Sequence, residues 1–260
     1  MRHSCRGRKS SCRRGGKFAE RKNGLIKELR ARVFRALPRD VPAAKYLGGG
    51  PQALPWPTWE VEPGVIVRTP EWNSGKEGSR AATLILETPE YYKKGPRLPV
   101  SDPLLGTGIV AGLYPRGDVQ STGWEKKSPP NYVERALALL GQTADTGRVR
   151  DVIAALRALD SRKGGQRAWR VVGVGQGGIL AAYAGLFEPK IKEVVVIDPP
   201  KSHQEGPYFL NVLRVLDIPE ALGLLAPDVR LTLINARDPA FDRVEQIYRL
   251  AGAADKLTRK

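Results

Sequence analysis

Histidine, cysteine and methionine are all scarce in this sequence: 260 residues contain two histidines, two cysteines and one methionine. Both cysteines, Cys5 and Cys12, lie near the start with only His3 beside them, a spacing that matches no zinc site. The absence of cysteine after Cys12 argues against a disulfide-built domain. Two separated histidines among scattered carboxylates give no ligand spacing either, so neither a metal nor another cofactor is expected. No stretch approaches the roughly 18–20 unbroken apolar residues that a membrane span needs. The first 24 residues, MRHSCRGRKSSCRRGGKFAERKNG, also lack the aliphatic core of a secretion signal. The expected location is cytoplasmic by default.

Charge is plentiful but uneven. The net charge is +16, yet residues 1–40 carry 14 Lys/Arg against 3 Asp/Glu, which leaves only +5 for the other 220 residues. The basicity therefore marks an arm, and any contact with nucleic acid is expected to be non-specific and to go through it. Residues 1–24 are expected to be a disordered basic arm. Residues 25–57 read as a loosely attached helix, with Ile26, Leu29, Val33 and Leu37 at helical spacing, followed by a Pro/Gly-rich linker. Residues 58–260 read as the folded domain.

Within that domain Trp59, Val61, Val65 and Val67 suggest a hairpin around Pro63-Gly64. Strands are expected near residues 81–86, 108–113, 169–172, 193–197 and 231–234. Helices are expected from Asn131 with Glu134, from Thr146, from Gly178 and from Arg243. Strands alternating with helices imply a mostly parallel sheet covered on both faces, an α/β fold.

The glycine-rich turn at residues 173–178, GVGQGG, admits two readings. Gly173, Gly175 and Gly178 satisfy G-x-G-x-x-G, and Asp198 follows 20 residues later at a strand end, where an acid would hold a ribose in a nucleotide-binding, Rossmann-like domain. The same residues fit the frame of a nucleophile elbow, G-x-S-x-G, with Gly175 where serine should stand. In that frame the Gln176 N–H is half of an oxyanion hole, the other half coming from around residues 113–117. Order along the chain favours the elbow, because several strands precede the turn and a strand ending at Asp238 follows it.

From about Val110 onward the chain resembles bacterial acetylxylan-esterase-like α/β-hydrolases, and more closely the second halves of tandem proteins of that type. The residues that carry the resemblance are PPNYVER at 129–135, the glycine turn, IDPP at 197–200, Ser202-His203, Gly206-Pro207, FLNVLRVLD at 209–217, and NARD at 235–238. The resemblance implies ester hydrolysis by Ser, His and Asp. Only the acid position is filled, by Asp238: Gly175 has no side chain, and no histidine follows Asp238. The expectation is a degenerate module that lacks the last strand and pairs with an intact esterase domain or with itself. One alternative is an active carbohydrate esterase that uses Ser202 and His203, or a partner's residues. Arg116 is a candidate anion ligand, and Trp124, Tyr132 and Tyr208 are candidates for a sugar-binding surface, against the plainer readings of surface and packing residues.

Overall fold

The computed structural model describes residues 6–50, 54–73, 80–94, 105–106, 108–117 and 132–260. The chain opens on helix α1 (Arg6–Arg32). Apolar residues hold its second half: Leu29 is buried, as are Val33 and Phe34 just past its end, and Phe18, Leu25 and Ile26 pack against the same core. Residues 6–24, expected from the sequence as a disordered arm, form the upstream part of this helix.

A small antiparallel sheet follows, of order β1-β2-β3: β1 (Lys45–Gly50), β2 (Leu54–Glu62) and β3 (Val65–Arg68). The β2–β3 hairpin turns at Pro63-Gly64, as the sequence suggests, with Gly64 at φ +77°. The linker expected over residues 41–57 contains β1, whose Lys45 and Tyr46 pair with Glu60 and Trp59. Its glycine-rich sequence has little strand propensity, and pairing with β2 supplies the conformation. Trp59, Val61 and Val67 join Leu29 and Val33 in the main hydrophobic core, so the N-terminal segment is integral to the fold and not loosely attached.

The remaining elements are β4 (Glu71–Asn73), β5 (Ala81–Leu86), α2 (Pro89–Lys94), β6 (Ile109–Leu113), α3 (Tyr132–Leu139), α4 (Ala144–Arg162), β7 (Ala168–Val174), α5 (Gln176–Phe187), β8 (Ile191–Ile197), α6 (Ile218–Gly223), β9 (Arg230–Ile234), α7 (Asp242–Leu250) and β10 (Leu257–Arg259). They build a seven-stranded sheet of order β10-β9-β8-β7-β5-β6-β4, parallel except for β4, which runs against β6. Alternate residues feed two cores. Leu84, Leu86 and Val171 face α4 and α5, while Ile85, Val172 and Val174 meet Tyr91 and Leu105 on the other side. Burial on both faces explains why these strands read as unbroken apolar runs.

Two local expectations change. The last strand is present as β10, whose Leu257 and Arg259 pair with Leu231 and Leu233. Helix α4 is capped by Thr143 and not by Thr146, and the two side chains form a reciprocal capping box. Asn131, the cap expected for α3, lies outside the described residues. After β5 the chain moves outward to β6 and then returns across β5 to β7. The topological switch point therefore lies between the carboxyl ends of β5 and β7, where open α/β sheets place their ligands.

Candidate active site

Strand β7 ends at the switch point, and the chain reverses there into α5 through Gly175, at φ +56° and ψ −125°. This is a left-handed conformation that side-chain-bearing residues adopt only under strain. The flanking glycines serve proximity. A Cβ on Gly173 would fall on the Gly177 carbonyl and the Gly178 nitrogen, and one on Gly178 would strike Val196. Only hydrogen at these positions lets α5 approach β7 and β8 this closely.

Gln176 and Gly177 open α5, so their N–H groups belong to the first turn, at the positive end of the helix. Thr88, just past β5, lies across the switch point from them. Its hydroxyl and methyl both sit 3.2 Å from where a Cβ on Gly177 would be. Thr88 Oγ1 is buried and has no hydrogen-bond partner among the described residues. From the sequence, the second oxyanion donor is expected around residues 113–117, beyond β6. That expectation is corrected, because β5 and not β6 is the neighbour of β7. The signal that could have found Thr88 is the handedness of the β5–β6–β7 crossover, not any local motif.

Arg116 is likewise no pocket anion ligand. It is buried, its Nε and Nη2 reach both oxygens of fully buried Asp151, and Nη2 also meets Glu62. Burial opposes its charge, but Asp151 and Glu62 outweigh that and raise its pKa. Beside it, at the ends of β5 and β6, the Tyr92 hydroxyl donates to Glu87 and shares a 2.7 Å hydrogen bond with the Tyr114 hydroxyl. Trp56 stacks on Tyr114. Burial and the Glu87 contact raise the Tyr92 pKa and keep that hydroxyl protonated.

The remaining sequence candidates separate. Asp238 follows β9, where its Oδ1 accepts from the Ala240 N–H at 2.9 Å and its Oδ2 lies 3.7 Å from Lys201 Nζ. Asp198, exposed and at φ +50°, accepts from Asn235 Nδ2 at 2.9 Å. Ser202 Oγ accepts from the Gln204 N–H. His203 is buried, and both ring nitrogens are engaged. Nδ1 lies 3.0 Å from the Pro207 carbonyl, which can only accept, so Nδ1 carries the proton and Nε2 accepts the Tyr183 hydroxyl at 2.8 Å. Burial lowers the His203 pKa despite the Pro207 carbonyl and nearby Asp217 and Asp145. The expected relay from Ser202 to His203 therefore has no free nitrogen to receive a proton.

A cavity of about 410 Å³ opens beside the elbow, lined in part by Gln176, His203, Glu205, Asp145 and Tyr208. Tyr132 is 72% exposed and Tyr208 48%, while Trp124 lies outside the described residues.

No family model and no curated protein sequence matches the chain. Solved structures do. A candidate acetyl xylan esterase from Bacteroides fragilis superposes with a TM-score of 0.65 at 15% identity, over 95% of this chain and 75% of that one. A carbohydrate esterase family 15 glucuronoyl esterase from Caldicellulosiruptor kristjansonii gives 0.59 at 16% identity, over 94% and 80%. An acetyl xylan esterase from Paenibacillus gives 0.52 at 14% identity, over 90% and 85%. The chain has the α/β-hydrolase fold.

In an α/β-hydrolase the turn after β7 is the nucleophile elbow, and the acid follows β9. In this chain Gly175 stands at the turn after β7, and Asp238 follows β9. The dinucleotide reading is left with spacing alone: its fingerprint follows the third parallel strand in chain order, not the first, and its Asp198 is bonded to Asn235.

Proposed function

We propose that this chain is a catalytically silent, esterase-type α/β-hydrolase module. The observation that carries the proposal is Gly175, which holds the elbow's backbone conformation and offers no nucleophile. The helix N-terminus remains at α5, but no acyl-enzyme can form at a residue without a side chain. His203 adds support, since a ring held on both sides inside the core is not available as a base. The test is hydrolysis of p-nitrophenyl acetate by the purified chain: background-level turnover supports the proposal, and steady turnover overturns it.

We further propose that the module pairs with an intact esterase domain or with a second copy of itself. Helix α3 supports this, because it buries none of its residues, leaves Leu139 90% exposed with Leu140 just after it at 72%, and lends Val133 and Glu134 to the cavity lining. Size-exclusion chromatography, alone and with an intact acetyl xylan esterase added, tests the pairing. Co-elution or self-association that is lost on replacing Leu139 and Leu140 with serine is the expected result. A monomer in both runs removes the pairing.

A further inference from the structure

Helix α1 carries a feature that the hydrolase fold does not use. Its first twelve residues, Arg6 to Lys17, include six Lys/Arg and no acid. Arg6, Lys9, Arg13, Lys17 and Arg21 succeed one another at spacings of three and four. At 3.6 residues per turn they fall within an arc of about 120°. The residues that dock the helix, Phe18, Leu25, Ile26 and Leu29, centre about 140° away on the same wheel. On the wheel the stripe positions therefore lie opposite the docked face. Lys17 and Arg21, the stripe positions whose side chains are described, are both exposed, and neither makes an ion pair among the described residues. Between Arg6 and Arg21, Glu20 is the one acid within the arc.

We infer that this stripe binds the phosphate backbone of a duplex nucleic acid, without sequence specificity. The stripe is about 22 Å long at 1.5 Å per residue, which matches six or seven phosphates of one strand at about 3.4 Å each. Three of its five members are arginine, whose planar fork engages phosphate oxygens in pairs. An anionic membrane is the weaker match. Helices that lie on membranes insert an apolar face beside the basic one, and between Arg6 and Lys17 the only apolar side chain is that of Cys12. Gly15, Gly16 and the like charges make the first half of α1 a weak helix by itself, so neutralisation by phosphates strengthens it.

The test is fluorescence anisotropy of the full chain with 20-base-pair duplex DNA and, in parallel, duplex RNA. Saturable binding is expected, with log affinity falling against log salt at a slope of about −4 to −5 for five phosphate contacts. That corresponds to a loss of several hundred-fold between 50 and 200 mM salt. The triple variant Arg6→Ala, Lys9→Ala, Arg13→Ala should weaken binding more than tenfold and flatten the slope by about 3, with unchanged thermal unfolding. The stronger of the two arms identifies the source of the phosphates. No binding at 50 mM salt, a triple variant that binds like the parent, or tighter capture by phosphatidylserine vesicles than by either duplex would overturn the inference.

Discussion

Replacing Asp151 with alanine is expected to destabilise the fold by about 3–5 kcal/mol, the cost of leaving a buried charge without its partner. Asp151 is fully buried in α4 and serves Arg116 twice over: its carboxylate takes the guanidinium and also accepts the Arg116 backbone N–H at 2.9 Å. Glu62 touches the same guanidinium and also Arg150, at 3.0 Å, so it offsets only part of the loss. Urea denaturation of the purified variant measures the effect. Changing Arg116 and Asp151 together to leucine should recover a large share of the stability, because no charge is then stranded. A single-variant loss below about 1 kcal/mol would mean that Arg116 finds water, and that the β6–α4 junction is looser than its contacts imply.

His203→Ala is expected to cost about 2–4 kcal/mol, because it opens a cavity among Tyr183, Phe209 and Pro207 and strands the buried Tyr183 hydroxyl. It should leave any trace of ester hydrolysis unchanged, which separates a packing role from a catalytic one. The parent should also show a pH signature. His203 titrates lower in the folded chain than its ordinary value of 6.5, so below 6.5 the unfolded chain binds the proton first. Its contribution to stability is thus complete above pH 6.5 and falls as the pH drops below that value. The alanine variant should lose this part of the slope. A variant that keeps the parent's slope between pH 5 and 6.5 would assign the titration to another group.

Much of the fold is legible in the sequence because its strands are buried on both faces. AATLIL, WRVV and EVVVI carry that burial as apolar runs, and the glycine turn carries the elbow. What escapes is set by distant partners. Strand β1 is glycine-rich and exists by pairing with β2; β10 is three residues held by β9; and α1 is drawn upstream from an anchor at Leu29. The same reason governs the site. The turn at Gly175 and the strand end before Asp238 belong to local strand–turn–helix units that spacing reveals. Thr88, by contrast, comes beside Gly177 only through the crossing of β5 between β6 and β7, and residues 113–117 look equally close along the chain. Arg116 looks like a free cation after a strand, and its partner Asp151 is 35 residues away on the face of a helix.

Ester turnover is the most direct measure of the proposed loss of the nucleophile at Gly175. Hydrolysis of p-nitrophenyl acetate should be followed through burst and steady state for the purified chain and for Gly175→Ser. The parent should show no burst and a steady rate at, or barely above, the protein-free background. The serine variant should unfold about 1–3 kcal/mol more easily, from a side chain at φ +56°, and still lack steady turnover, since His203 is held at both ring nitrogens. A burst followed by sustained turnover in the parent would contradict the account and place a working nucleophile elsewhere in the crevice.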